Sequence, residues 1–311
     1  MNDPWPPCPT SPTAGLGPRQ RVALAAAGGA PDRPPRGELV LDDGLIAEFL
    51  ECGAVDFSAR REFIERLGLD LVTVSLGVEA SAAAADSPWR QIEQWRGQSD
   101  RFVLALLDGP FGQGVARQGF MDFMVCIARG GPALESHLRD AAQRCLSQAL
   151  AALDSGTQGI ILADDIAHGQ GLLAAPDFFR RQYFPALATL LAILRQREVP
   201  IFFHSDGQLE PLLPDLAAAG FSGLQCLEPG AGMDLAQLKP AWQGRLCLWG
   251  NLDPDWLVRE HPRQAVEAAA RAVLAAGAPG GGFIFGTSSG LFRGMRPENL
   301  AWAYAALDQA S

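Results

Sequence analysis

The motif His204-Ser205-Asp206-Gly207 places an imidazole and a carboxylate two positions apart. It begins at the last residue of the apolar run 199–204, which has the composition of a buried strand. Residues i and i+2 of an extended strand lie on the same face, so we expect His204 and Asp206 to point at one site. Such a pair can bind zinc, with Glu228 or a cysteine as a third ligand, or it can act as a general acid and base. A structural interpretation also stays open, in which Asp206 orients His204 or caps the next helix.

Polar residues also follow the other apolar runs of the chain. If those runs are parallel strands of a barrel, their carboxyl ends meet at one face, where active residues of such folds lie. We therefore predict five catalytic residues, namely Asp108, Asp164, His204, Asp206 and Glu228. We predict three metal ligands, namely His204, Asp206 and Glu228. Asp165 directly follows Asp164, and adjacent strand residues face opposite ways, so we expect one of the two to face the site and the other to cap a helix or contact solvent.

A glycine-rich segment follows the last apolar run. Residues 286–290, GTSSG, could bind a phosphate, a carboxylate or a carbonyl through backbone N–H groups. We predict three cofactor-binding residues, namely Asn251, Thr287 and Ser288. Cys226 lies two residues before Glu228 and could share its face, whereas Cys247 lies inside an apolar run and is predicted to belong to the core.

Short apolar runs that alternate with helical stretches must position these residues. The predicted strands are 69–76, 101–107, 159–163, 199–204, 223–227, 245–249 and 282–286, with 37–41 as a weaker eighth candidate. The predicted helices include 134–156, 176–197, 265–277 and 296–309. Strands that are apolar throughout are typical of parallel sheets buried on both faces. Seven or eight of them favour an α/β fold of the (β/α)8 TIM-barrel class over a doubly wound sheet, since the glycines of 107–114 lack the G-x-G-x-x-G spacing that a doubly wound sheet would want after an early strand.

Composition limits the domain organisation and the function. Residues 1–18 are rich in Pro, Gly, Ser and Thr and predict a flexible tail, while 19–311 are predicted to form a single domain. Of the 311 residues 48% are hydrophobic, and the net charge of −10 makes nucleic acid an improbable partner. Lys239, the single lysine, precedes a proline in a polar stretch, which argues against Schiff-base and P-loop chemistry. The six cysteines form no CxxC pair, and neither a secretory signal nor a membrane-spanning run is present, so we expect a cytoplasmic protein.

The chain resembles the uroporphyrinogen decarboxylase superfamily, and within it the branch of methylcobamide-dependent methyltransferases. The resemblance runs from Arg19 to about Ala310. The stretches that carry it are 19–35 with its PDRPP turn, 199–239 followed by LWGNLDP at 248–254, and 279–290 followed by MRPENL at 295–300. The resemblance implies a TIM barrel whose site lies at the carboxyl ends of the strands.

The resemblance also implies a metal site, from which this sequence departs. In coenzyme M methyltransferases of the superfamily, a His-x-Cys pair and a later cysteine hold zinc, which lowers the pKa of a thiol that attacks a methyl group on a corrinoid. His204 matches the family's histidine, but Asp206 stands where the first cysteine would be, and residues 287–289, near which the later cysteine would fall, contain none. What the resemblance leaves is a harder set of nitrogen and oxygen ligands at His204, Asp206 and Glu228, or no metal.

Three functions follow as hypotheses. The leading one is a methyltransferase of a corrinoid-dependent demethylation system, with an aryl methyl ether, a methylamine or a methylthiol as the methyl donor. The alternative is a uroporphyrinogen decarboxylase-like lyase acting on a carboxylated substrate, although Arg33 and Arg36 alone do not rebuild the arginine cluster of the decarboxylases. The third is a non-catalytic accessory protein that kept the barrel and lost the metal site.

The resemblance further implies a protein partner. The chain has no D-x-H-x-x-G motif for binding a corrinoid, so the cofactor would come with a separate corrinoid protein docked over the strand ends. We expect a monomer or a homodimer, with no nucleic-acid or membrane partner.

Overall fold

The computed structural model describes residues 15–77 and 87–308. Most of the predicted tail 1–18 therefore lies outside the described residues, and the first helix begins at Pro18. Within the described ranges, no helix is long and apolar enough to cross a membrane.

The strands occur where the apolar runs predict them. They are β1 (Leu71–Ser75), β2 (Phe102–Asp108), β3 (Gly159–Ala163), the two-residue strands β4 (Ala167–His168) and β5 (Gly171–Leu172), β6 (Ile201–His204), β7 (Gly223–Cys226), β8 (Cys247–Leu252) and β9 (Phe283–Thr287). All seven of the main predicted runs form strands, and in six of them nearly every residue is buried, as is typical of parallel strands covered on both faces. The pair β4 and β5, an antiparallel hairpin, was not predicted.

Helices fill the intervals between the main strands. They are α1 (Pro18–Ala26), α2 (Asp43–Leu50), α3 (Phe57–Leu67), α4 (Pro88–Gln98), α5 (Pro110–Gln118), α6 (Phe120–Arg129), α7 (Pro132–Ser155), α8 (Pro176–Phe178), α9 (Phe184–Gln196), α10 (Leu213–Ala219), α11 (Leu235–Trp242), α12 (Asp255–Val258), α13 (Arg263–Gly277) and α14 (Pro297–Ala305). The predicted helix 176–197 is interrupted by a π turn at Phe179–Tyr183. Pro185 accounts for it, because a proline has no N–H for the normal helical bond and its ring needs a wider turn.

The contacts between Cα atoms divide the described chain into two compact units. The first comprises 15–72, 100–102 and 234–308, and the second comprises 73–77, 87–99 and 103–233. In the second unit β2, β3, β6 and β7 lie side by side as parallel strands. Their register aligns Asp108, Ala163, His204 and Gln225 in one row. The row sets the carboxyl ends of these four strands at one edge of the sheet.

In the first unit β8 and β9 form a parallel pair that ends with Leu252 beside Thr287. The predicted eighth strand, 37–41, is not a strand: Leu41 forms an isolated bridge to Leu291, and Arg36, just before the segment, forms one to Phe285. The N–H of Gly37 donates to the carbonyl of Phe285 at 2.9 Å, and the carbonyl of Val40 accepts the N–H of Leu291 at 2.8 Å, but these bonds form isolated bridges and no continuous ladder.

Candidate functional site

Three ligand atoms converge at the carboxyl ends of β3 and β6. One atom each of Asp165, His204 and Asp206 lies within 4.8 Å of the other two, and this is the one such group in the described residues. The strand register explains the convergence, because Ala163 lies directly beside His204. Asp165 follows the end of β3 by two residues, and Asp206 follows the end of β6 by two. The structure thus brings the predicted pair His204 and Asp206 together, with Asp165 rather than Glu228 as the third member.

Gln225 holds the ring of His204. His204 is 8% exposed and Gln225 is fully buried. The Nδ1 atom of His204 lies 2.5 Å from Oε1 of Gln225. An amide oxygen only accepts, so Nδ1 donates, and a neutral imidazole then carries its lone pair on Nε2. The Nε2 atom on the other side of the ring lies 3.7 Å from Oδ1 of Asp165, too far for a good hydrogen bond.

Hydrogen bonds tie together the loops that carry these groups. The N–H of Asp206 donates to Oδ1 of Asp165 at 3.0 Å, and the N–H of Gly207 donates to Oε2 of Glu228 at 2.9 Å. The thiol of Cys226 donates to Oδ1 of Asp206 at 3.3 Å. Burial, with the charge of Asp206, raises the pKa of the Cys226 thiol, so the sulfur keeps its proton and acts as a donor. Glu228 therefore supports the loop after β6 and does not join the cluster of ligand atoms.

The charge at this edge of the sheet is negative. Asp165, Asp206 and Glu228 are close together, and no lysine or arginine forms an ion pair with any of them in the part of the chain that the structure describes. The negative electrostatic potential of these three carboxylates extends into the solvent, since the Asp165 side chain is 62% exposed. The arrangement attracts a cation and repels a polycarboxylate.

Asp164 is buried next to this cluster and caps a helix. Its carboxylate accepts the N–H groups of Phe111 and Gly112 at the start of α5, at 3.0 and 2.7 Å. It also accepts the hydroxyl of Tyr183 at 2.5 Å. Burial raises the pKa of Asp164 to about 7, although these hydrogen bonds act in the other direction. Both oxygens are engaged inside the protein, which argues against the predicted catalytic role and favours support of α5.

Asp108, another predicted catalytic residue, ends β2 in register with Ala163. Its main-chain carbonyl accepts the side-chain amide of Gln113 at 2.8 Å and the thiol of Cys145 at 3.2 Å. Its carboxylate lies against Gly77, where an added β-carbon would come within 2.6 Å of Oδ2. Asp108 is not one of the three clustered ligands, and its catalytic role stays a prediction.

The three predicted cofactor-binding residues lie in the first unit and are buried. The N–H of Ser288 donates to the carbonyl of Leu252 at 3.1 Å. The N–H and the hydroxyl of Thr287 donate to the two carboxylate oxygens of Glu38, at 2.9 and 2.5 Å. These backbone donors are used inside the protein, so the anion cradle expected at 286–290 is not available at Thr287 and Ser288. A contact between Asn251 and a cofactor stays a prediction.

Glu38 leads to a prediction about stability and pH. It is fully enclosed, and burial raises its pKa to about 7 from an ordinary 4.5, despite bonds from Thr287 and from the hydroxyl of Tyr304. Because the folded pKa is the higher one, the stabilising contribution is complete below about pH 4.5 and is lost as the pH rises through 7. We expect the free energy of unfolding to fall by about 3 kcal/mol more in the wild type than in Glu38→Gln over that interval. Urea unfolding at a series of pH values measures this, and parallel pH curves for the two proteins would contradict it.

Gly207 of the site motif leads to a prediction about strain. Its φ is +86°, and an added β-carbon would lie 2.5 Å from the backbone nitrogen of His168. Gly207→Ala is therefore expected to destabilise the protein by about 2 kcal/mol or more, measured by urea unfolding. Gly169→Ala is the matched control, because an added β-carbon there meets nothing within 4 Å. Equal stability of the two variants would show that the backbone at 207 is not constrained as described.

Sequence reasoning missed three residues that define these sites. Gln225 and Glu38 are polar residues inside the apolar runs 223–227 and 37–41, and that interruption was the available signal. Asp165 was placed at a strand end but was not proposed as a ligand. Whether Asp164 or Asp165 faces the cluster depends on which of them caps α5, and a local sequence pattern does not contain that contact.

Comparisons with known proteins bear on the fold. The family model described as Uroporphyrinogen decarboxylase (URO-D) matches residues 112–310. No curated protein matches the chain. A solved methyltransferase from Methanosarcina mazei is similar with a TM-score of 0.73 and 18% identity, over 95% of this chain and 99% of that chain. This likeness confirms the predicted fold class, the α/β fold of the TIM-barrel kind. A 7,8-dihydropteroate synthase from Vibrio fischeri has a TM-score of 0.38 and 14% identity, over 90% and 93% of the chains, which is too distant to add to the argument.

Proposed function

Because the chain belongs to the uroporphyrinogen decarboxylase family, we propose that it uses this fold as a methyltransferase. It moves one methyl group between the heteroatom of a small donor or acceptor and a corrinoid carried by a separate protein. The observation that carries the proposal is the cluster of Asp165, His204 and Asp206 at the carboxyl ends of β3 and β6. The similarity of the chain's fold to that of a solved methyltransferase supports the same proposal.

The cluster fits a divalent metal ion such as zinc. Zinc takes imidazole nitrogen and carboxylate oxygen ligands at about 2 Å, so ligands that share one ion are roughly 3 to 4 Å apart. The 3.7 Å between Nε2 of His204 and Oδ1 of Asp165 agrees with that spacing. One imidazole and two carboxylates form a harder donor set than a thiolate pair. A bound divalent ion would be neutralised by the two aspartates.

The residues at the site would have different roles. A bound metal ion would act as a Lewis acid that polarises the heteroatom of the methyl donor or acceptor. Asp165, His204 and Asp206 would hold the ion, while the bond from the N–H of Asp206 to Asp165 keeps the two loops together. Glu228 anchors Gly207, so the loop that carries Asp206 keeps its conformation.

The charge of the site weighs against the alternative of a decarboxylase-like lyase. A substrate with several carboxylates would approach Asp165, Asp206 and Glu228, with which no cationic side chain forms an ion pair in the described residues. Even with a divalent ion neutralised by the two aspartates, the charge of Glu228 is left over, and repulsion between like charges opposes binding of such a substrate. A small neutral or cationic methyl compound meets no such penalty.

Methyl transfer to cob(I)alamin tests the proposed function. The purified protein, loaded with zinc, is mixed with cob(I)alamin and a panel that contains an aryl methyl ether, a methylamine and a methylthiol. We expect formation of methylcobalamin with at least one donor, followed by the change in the corrinoid absorption spectrum. The reverse reaction, from methylcobalamin to the corresponding demethylated acceptors, is measured in parallel. Absence of transfer in both directions would contradict the proposal, and release of carbon dioxide from a carboxylated substrate would support the lyase.

The identity of the third ligand leads to a separate prediction. Asp165→Asn removes a carboxylate of the cluster, whereas Glu228→Gln removes one that bonds only to the loop. We expect zinc affinity to fall by about 100-fold in the first variant and by less than about 10-fold in the second, measured by chelator competition. The opposite order would make Glu228 the ligand, as the sequence alone suggested.

A further inference from the structure

We propose that Gln225 is a positioning residue that fixes the tautomer of His204 and so turns Nε2 into the metal-binding nitrogen. The role of this positioning in metal binding rests on the proposed function, whereas the tautomer is a property of the imidazole that can be measured without it. Gln225 belongs to β7 and lies in register beside His204 of β6. No motif or resemblance in the sequence singles it out.

The contact between Gln225 and His204 leaves one orientation for the proton. Oε1 of Gln225 lies 2.5 Å from Nδ1, and both side chains are at least nine-tenths buried. Free histidine in water favours neither nitrogen strongly, so a buried acceptor at one of them decides the tautomer. With the proton on Nδ1, the lone pair of Nε2 is directed at the side where Asp165 and Asp206 lie. Partners of this kind orient the histidine ligands of metal sites and raise their basicity.

The neutral charge of Gln225 matters as much as its oxygen. The two aspartates already carry two negative charges, which match a divalent ion. A carboxylate at position 225 would hold Nδ1–H as well, but it would add a further negative charge to those of Asp165, Asp206 and Glu228, in a position that is fully buried. A glutamine supplies the acceptor without that cost.

The backbone after Gln225 supports a positioning role for the end of β7. Consecutive residues of a strand face opposite ways, so Gln225 and Cys226 should not both reach β6. Cys226 has a φ of 103° and Leu227 a φ of 56°, both in the left-handed region that non-glycine residues rarely adopt. This turn lets Cys226 contact Asp206 while Gln225 contacts His204. Residues held in such conformations cluster at functional sites.

The tautomer of His204 is measured directly in the metal-free wild-type protein. The chain has four histidines, so a ¹⁵N–¹H correlation spectrum of the rings is simple, and His204→Ala assigns the signal. We expect the neutral ring of His204 to carry its proton on Nδ1. A spectrum with the proton on Nε2 would overturn the proposal without the need for any variant at 225.

Two substitutions at 225 then test the consequence for metal binding. Gln225→Leu keeps the size of the side chain and removes the acceptor, and we expect a mixture of tautomers and a zinc dissociation constant raised by about 10- to 100-fold. Gln225→Glu restores an acceptor and should restore the Nδ1–H tautomer. Gln237→Leu, at an exposed position of α11, is the matched control and should leave both readouts unchanged. A Gln225→Leu protein that keeps the wild-type tautomer and zinc affinity would overturn the proposal.

These readouts separate the two proposals. Failure of methyl transfer with an Nδ1–H tautomer present would count against the proposed function and leave the role of Gln225 intact. Methyl transfer with zinc bound and an Nε2–H tautomer in the metal-free protein would count against Gln225 alone.

Discussion

We expect a His204→Ala variant to lose the metal ion that we propose for the cluster of Asp165, His204 and Asp206. Grown and purified with added zinc, the wild type is expected to contain about one equivalent, and the variant less than about a tenth of that. The substitution removes the one nitrogen ligand of the cluster and leaves two carboxylates, Asp165 and Asp206, which repel each other without a cation between them. Elemental analysis after gel filtration gives the stoichiometry, and the rate of methyl transfer should fall with the metal content.

The control for this variant is another histidine of the same unit. His168 is exposed in the hairpin of β4 and β5, and its Nδ1 accepts the N–H of Gln170. His168→Ala should keep the full metal content. Equal metal content in the two variants would show that zinc binds elsewhere, and a wild type without metal would contradict the metal site at the ends of β3 and β6.

The largest loss of stability is expected from Asp164→Ala. The substitution leaves three donors without an acceptor, the N–H groups of Phe111 and Gly112 and the hydroxyl of Tyr183, all within 3.0 Å of the carboxylate. A buried donor that loses its partner costs about 1 to 3 kcal/mol, so we expect a total loss of about 3 to 5 kcal/mol. Urea unfolding of the metal-free proteins in the presence of a chelator measures the difference at about pH 5, because the stability that Asp164 contributes declines as the pH rises towards its folded pKa of about 7.

Two further variants show how much of the expected loss of stability comes from one hydrogen bond and how much any nearby carboxylate would cost. Tyr183→Phe removes one of the three bonds and should cost about 1 to 2 kcal/mol. Asp165→Ala changes the neighbouring carboxylate, which is exposed, and should change stability by less than about 1 kcal/mol. A similar loss in Asp164→Ala and Asp165→Ala would show that the cap on α5 contributes little.

The sequence predicted the positions of the strands better than the directions of the side chains at their ends. The runs that became β3 and β6 are apolar throughout, and burial on both faces leaves little freedom in where such a segment starts and stops. The pair His204 and Asp206 followed from their spacing on an extended chain. What the pattern lacked was the neighbour of each strand, which decides that Nδ1 of His204 meets Gln225 while Nε2 faces Asp165.

Two predictions differ from the structure, the strand at 37–41 and the face shared by Cys226 and Glu228, and they differ for a common physical reason. Segment 37–41 has strand-like composition but pairs only through isolated bridges near its ends, and such contacts between residues far apart in the chain are absent from local periodicity. Glu228 lies two residues after Cys226, which predicts a shared face, but the left-handed backbone at Cys226 and Leu227 changes the direction of the chain between them. Non-glycine residues in that region carry no sequence signature.

The clustered ligands and the partners described for them all come from one continuous stretch of chain. The stretch runs from Asp165 to Glu228 and lies within 103–233, inside the second unit. An ion bound there adds its binding free energy to the unfolding of that unit, by about 2.7 kcal/mol at a concentration one hundred times the dissociation constant. If zinc binds as proposed, all of its protein contacts fall within one of the two units, and the stabilisation that it supplies begins there.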